Sequence, residues 1–237
     1  MDDFAIYNGK KVDLREKMKD ISTGMKDVKA YAGVVSVSRF QEPADVSQVS
    51  KAILYNKYLD KASSDELKFE QTAFGDPFYI AYSSGTTGTP KCIVHSIGGV
   101  LLSAVKETGI QRDIGPNDTV LQYTTTGWIM YLFAVCQILH GARSVLYDGS
   151  PFIPDSVRFI KLLEEQKVTL FGTSPRWMGE MQKNKIVPRD VADLSKMRLV
   201  TSTGMVLSDQ LFEWFYDVGF PKTVHLANIS GGTDLVS

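Results

Sequence analysis

Cysteine, histidine, net charge and long apolar runs are all scarce in this chain. Its 237 residues hold two cysteines, Cys92 and Cys136, and three histidines, His95, His140 and His225. Neither type carries metal-ligand spacing, and the histidines have no partner pattern for triad chemistry, so a Cys/His metal site and Ser-His-Asp catalysis find no support. Cys92 reads as a small buried residue. Nothing at the start resembles a signal peptide, and a reducing, cytoplasmic setting is expected. With 26 basic against 27 acidic side chains the formal charge is −1, so no global field draws the protein to nucleic acid or to a membrane surface. Any anion site must be local. The longest apolar run, about Ile129 to Leu139, is interrupted by Gln137 and falls short of the roughly 18–20 residues of a membrane helix. It reads as a buried helix.

What is present is a globular composition, 43% hydrophobic and 22% charged, enough for a core in one large or two small domains. From residue 78 onward, short β-rich runs alternate with helical patterns. The runs are "FYIAY" (78–82), "TVLQY" (119–123), "SVLYD" (144–148), "VTLFG" (168–172), "RLVTS" (198–202) and "TVHLA" (223–227). Between them, "IGGVLLSAVKETG" ends on Gly109 as a C-terminal cap, and "DSVRFIKLLEEQ" starts on Asp155 as an N-cap with Val157, Ile160 and Leu163 on one face. "SDQLFEWFYDVG" repeats the pattern, with Ser208 as cap, Leu211, Phe212, Phe215 and Val218 as the apolar stripe, and Gly219 as the stop. Such alternation predicts an α/β fold with mainly parallel β-sheet flanked by helices, whose ligands bind beyond the carboxyl ends of the strands. Before residue 75, "KKVDLREKMKD" reads as a charged helix, "YAGVVSVSRF" as a buried strand and "DKASSDELKFEQTAFGD" as a surface connection.

The stretch "YSSGTTGTPK", Tyr82 to Lys91, concentrates small polar residues and one cation. Gly85 and Gly88 can take the positive φ values that turn amide hydrogens inward, Ser83, Ser84, Thr86 and Thr87 add hydroxyl donors, and Lys91 adds charge. A unit charge pair about 4 Å apart is worth roughly 4 kcal/mol at an effective dielectric of 20, before desolvation. A Walker A loop fails in detail. Pro90 stands where its second glycine belongs, Cys92 replaces the metal-binding hydroxyl, and "CIVH" favours a strand over the helix that such a loop precedes. An ordinary hairpin turn is the plain alternative.

These ten residues resemble the phosphate-loop signature of the adenylate-forming superfamily of acyl-CoA synthetases, luciferases and peptide-synthetase adenylation domains. "TTTGWIMY" (124–131) resembles the segment that shapes the acyl and CoA sites, "STGMVLS" (202–208) the glycine turn beside the nucleotide, and "NISGGTD" (228–234) the motif that meets adenine, α-phosphate and magnesium. Within the superfamily, "TTTGWIMY" together with "SGGTD" and "VHSIGGVLL" is most similar to the branch that ligates acetoacetate to CoA, with the acetyl- and propionyl-activating branches as alternatives.

The resemblance implies ATP, CoA and Mg2+, together with a short acyl acid, as the small molecules handled. It implies that Ser83, Ser84, Gly85, Thr86, Thr87 and Gly88 wrap the β- and γ-phosphates while Lys91 anchors the loop or neutralises charge. Gly204, Asn228, Ser230, Gly231, Gly232 and Thr233 would contact nucleotide, with Thr233 at the α-phosphate. Asp234 falls where the family usually has its magnesium-binding glutamate, and Trp128 and Met130 fall in the acyl pocket. Met205 and Val206 stand where many relatives carry Glu-Pro, so only the backbone role of Gly204 carries over. The superfamily also leads one to expect a preceding segment of the large N-terminal domain, and a hinge and small C-terminal domain after Ser237. On that expectation the chain is a partial adenylation domain over residues 1–237, with truncated edges open to association with another chain. A non-catalytic nucleotide-binding remnant and a phosphotransferase that releases ADP are the remaining alternatives.

Overall fold

Apolar runs that are too short to be helices and too continuous to alternate suit strands buried on both faces. That is how the larger part of this protein is built. The structure, a computed structural model, describes residues 1–62, 66–83 and 88–236. It divides into two units: residues 1–70 with 148–153, and residues 71–147 with 154–237.

In the first unit β1 (Phe4–Tyr7) and β2 (Lys10–Asp13) form an antiparallel hairpin. The turn between them, Asn8-Gly9, has φ of 48° and 74°, a backbone that these two residue types adopt readily. It folds Lys10–Asp13 back onto β1, so the expected charged helix begins later, as α1 (Arg15–Gly24). The expected strand in "YAGVVSVSRF" is β3 (Val34–Ser36), parallel to β4 (Ala52–Leu54), which runs into α2 (Tyr55–Leu59). Met18, Val34, Val46 and Val49 make this unit's core. The expected connection 60–76 carries no helix or strand among its described residues.

The second unit begins with β5 (Pro77–Ser83), β6 (Lys91–Ser96) and α3 (Ile97–Val105). Then follow β7 (Thr119–Gln122), α4 (Met130–Val135), β8 (Arg143–Ser144), α5 (Ser156–Glu165), β9 (Leu170–Thr173) and α6 (Pro175–Lys183). It closes with α7 (Pro188–Val191), β10 (Leu199–Ser202), α8 (Asp209–Trp214) and β11 (His225–Asn228). Strands β7 to β11 form a five-stranded, all-parallel sheet in the order β11-β10-β9-β7-β8. Register places Val120, Leu170 and Leu199 on one face and Leu121, Phe171 and Val200 on the other. All six are buried, which is why these strands read as unbroken apolar runs. Phe171 packs edge-on against Trp177 of α6, which also meets Phe159 of α5 and Phe220.

"FYIAY" is not a strand of the five-stranded parallel sheet. It lies in β5, paired antiparallel with β6 in a two-stranded sheet of its own. Asp155 and Ser208 cap α5 and α8 by accepting hydrogen bonds from the Arg158 and Leu211 amides, as their residue types lead one to expect. The stripe of α8 differs from expectation. A π turn over Phe215–Gly219 inserts one residue, so Trp214, Phe215 and Phe220 are buried while Phe212 and Val218 are exposed. A similar turn, Lys106–Ile110, extends α3 through Gly109, where the His140 ring leaves no room for a side chain. Cys92 is exposed, because the outward face of β6 carries it beside Val94. Of the run from Ile129, Ile129, Met130, Leu132, Phe133 and Ala134 are buried and Tyr131 is half-buried, but Ile138 and Leu139 face outward. Among the described residues no helix is long and apolar enough to cross a membrane.

Candidate functional site

Parallel strands all end on the same side of a sheet, so the loops after their carboxyl ends converge. Residues 124–131 follow β7, residues 203–208 follow β10 and residues 229–234 follow β11. Three of the singled-out segments therefore share one edge. Thr203 N–H donates to the Thr173 carbonyl and Ile229 N–H to the Ser202 carbonyl, which continues the ladder into the loops. Gly204 then turns with φ of 91°, a conformation that costs an L side chain roughly 1–3 kcal/mol. A Cβ at Gly204 would stand 3.3 Å from the Trp128 ring, so the structure brings Trp128 and Gly204 together. Met205 and Val206 are exposed. Met130 is buried in a cluster with Ala81, Val100, Ile129, Leu132, Phe133 and Val236.

The remaining segment arrives on the hairpin. Ser83 pairs with Lys91 at the end where the two strands are connected, with Ser84, Gly85, Thr86 and Thr87 lying outside the described residues. Gly88 has φ of 95°, as its assignment to an inward-turning loop requires, and a Cβ there would meet nothing within 4 Å. Lys91, Ile93 and His95 alternate onto one face of β6. On that face His95 Nε2–H donates to the Thr233 carbonyl at 2.8 Å. Ser103 Oγ donates to the Val236 carbonyl at 2.6 Å, and Val236 enters the core with Ala81 and Val100. The Thr233–Val236 turn is thereby tied to the hairpin that carries Lys91.

Asn228 ends β11 opposite Ser202, and Asn228, Ser230, Gly231 and Asp234 are exposed. Gly232 and Thr233 are half-buried; a Cβ on Gly232 would collide with the Asp234 carboxylate, so the glycine makes room for it. Beneath the loops the hydroxyls of Thr173 and Ser202, in register on adjacent strands, are buried without a hydrogen-bond partner among the described residues. A cavity of about 220 Å³, lined by Lys167, Asp193 and Lys196 among others, lies at the opposite, amino edge of the sheet, away from these segments. Among the described residues no group of three or more His, Cys, Asp or Glu could hold a metal by itself. A single exposed carboxylate, Asp234, is nevertheless the donor set that suits Mg2+ when phosphate oxygens complete its shell. His95 lies within "VHSIGGVLL", but that motif assigns it no role; its alternation with Lys91 along β6 and its bond to the Thr233 carbonyl do.

The model of the AMP-binding enzyme family matches residues 13–234. The chain belongs to the AMP-binding enzyme family. Among its relatives in that family, an acetoacetyl-CoA synthetase of Gallus gallus is 36% identical over 236 residues, covering 98% of this chain and 35% of the relative. A malonamoyl-CoA synthetase of Penicillium aethiopicum is 34% identical over 253 aligned residues, again covering 35% of the relative. The solved acetoacetyl-CoA synthetase from Streptomyces lividans superposes with a TM-score of 0.86 at 33% identity, covering 100% of this chain and 35% of the other. The chain thus spans about a third of the length of the AMP-binding enzymes it matches.

Proposed function

We propose that this chain is the nucleotide-gripping part of an ATP-dependent acid:CoA ligase, a partial adenylation domain over residues 1–237, acting on a short 3-oxo acid such as acetoacetate. The observation that carries the reading is the docking of the Thr233–Asp234 turn onto the face of the hairpin that bears Lys91. Both named acyl groups among the relatives, acetoacetyl and malonamoyl, have a carbonyl β to the thioester, which favours a 3-oxo acid over acetate or propionate.

The chemistry follows from where charge moves. A substrate carboxylate oxygen attacks the α-phosphorus of ATP, the new acyl–O–P bond forms, and the bond to pyrophosphate breaks. The CoA thiolate then attacks the acyl carbon and AMP leaves with the acyl–oxygen electron pair. The carboxylate is already a nucleophile, so the first step needs preorganised donors more than a general base. Ser83, Ser84, Gly85, Thr86, Thr87 and Gly88 hold the β- and γ-phosphates, and Lys91 offsets their charge. Thr233 donates at the α-phosphate, Gly204, Asn228, Ser230, Gly231 and Gly232 line the nucleotide, and Trp128 and Met130 belong to the acyl pocket. Asp234 would hold Mg2+, which when bound neutralises phosphate charge.

Incubating the purified chain with ATP, Mg2+, acetoacetate and CoA tests the reading. Acetoacetate- and CoA-dependent release of AMP supports the ligase reading. ATP binding without AMP release reduces the chain to a nucleotide-binding module, and ADP as product overturns the adenylation chemistry.

A further inference from the structure

The roles above leave His95 unused, yet its ring is what joins the two halves of the site. We propose that His95 is a positioning residue that acts through Thr233 to aim the Thr233–Asp234 turn at the phosphates; this rests on the nucleotide reading of the site. A carbonyl oxygen can only accept, so the ring nitrogen facing Thr233 carries the proton. Pinning that carbonyl fixes the peptide plane that follows it, and with it the directions in which the Thr233 hydroxyl and the Asp234 carboxylate leave the turn.

Strand geometry makes the bond consequential. His95 stands on the same face of β6 as Lys91, with α-carbons roughly 13 Å apart along the strand. One rigid ladder, paired to β5 from Ser83–Lys91 to Tyr79–His95, therefore carries both the cation and the tether. Ser103 holds the far end of the turn at Val236. Between the tethers, the Leu235 N–H donates to the Gly232 carbonyl within the turn itself. Removing the first tether leaves the turn held from one side only, while the core contact of Val236 survives. A residue that merely satisfied a carbonyl would change the stability of the fold and leave the affinity for an anion untouched. A positioning residue changes the affinity of protein that is still folded.

The test is a calorimetric titration of Mg2+-ATP into the chain and into its His95→Phe and His95→Gln variants, at temperatures where circular dichroism finds each folded. The expected result is affinity about 10-fold weaker in His95→Phe, the size of one lost hydrogen bond, with most of it restored in His95→Gln, whose amide N–H can donate. Equal affinity in the wild type and His95→Phe overturns this inference alone. Failure of the wild type to bind overturns the nucleotide reading, and this inference with it. If His95→Phe does not fold, histidine-selective 15N spectra of the wild type decide the matter. A protonated Nε2 whose resonance moves on adding nucleotide supports the proposal, and a resonance indifferent to nucleotide overturns it.

Discussion

Lys91 is exposed at the end of β6, opposite Ser83, with no acidic side chain in ion-pair contact among the described residues. Its ammonium is therefore available to an incoming anion without first breaking an internal pair. Lys91→Met is expected to weaken Mg2+-ATP binding by about 10- to 100-fold at low ionic strength, the size of a hydrogen bond to a charged group. Lys91→Arg should retain most of the affinity. The difference between Met and Lys should shrink as salt is added, because exposed charges are screened beyond about 8–10 Å at physiological ionic strength. A salt-independent difference would mean that Lys91 supports the hairpin rather than the ligand. Gly204 and Trp128 illustrate the same scale differently. The positive φ at Gly204 and the Trp128 ring, whose nearest atom would stand 3.3 Å from a Cβ there, make that glycine a requirement of space as well as of backbone.

At the scale of elements, the carboxyl edge holds the site while the amino edge holds the sheet together. Asp118, just before β7, accepts hydrogen bonds from Arg198 Nε and Nη2 at 3.1 and 2.9 Å and from the Thr169 hydroxyl at 2.6 Å. Arg198 precedes β10 and Thr169 precedes β9, so one carboxylate staples three adjacent strands. Burial alone would push the Asp118 carboxyl up; the Arg198 guanidinium, the Thr169 hydroxyl and the Gly115 N–H outweigh it and hold the group below the usual carboxylate range. Asp118→Asn should cost roughly 2 kcal/mol at neutral pH and lower the melting temperature by several degrees. Because the folded-state pKa lies below the unfolded one, this stabilisation is fully present above the ordinary aspartate value and is lost as pH falls through the depressed value. The melting curves of wild type and variant should therefore converge on acidification; a constant gap would show that packing, not charge, is responsible.

Elements of this kind were legible in part. Residue pattern located four of the five strands of the parallel sheet to within two residues, because burial on both faces leaves a run that no other element explains, whereas "SVLYD" shares only Ser144 with the short edge strand β8. The caps at Asp155 and Ser208 were equally readable, since their side chains act on amides three residues away. What local pattern could not supply was pairing. "FYIAY" has the same composition as a sheet strand and differs only in its partner, and the π turn at Phe215–Gly219 depends on the stacking of Phe215 on Phe220. The same limit applies to the site. Its glycines and hydroxyls form contiguous motifs, whereas His95 and Thr233 meet only after 138 positions of chain are folded.

For the whole molecule, membership of the AMP-binding enzyme family, the parallel sheet and the convergence of motif segments on one edge point to a single grip formed by hairpin and loops together. That grip is the central claim. The measurement that addresses it most directly is amide chemical-shift mapping of the 15N-labelled chain on adding Mg2+ and a non-hydrolysable ATP analogue. The account predicts shifts at Ser83, Gly88 and Lys91 in concert with shifts across Ile229–Asp234, saturating at one common nucleotide concentration. Shifts confined to the amino-edge cavity beside Lys167 and Lys196, or none at either segment, would contradict it.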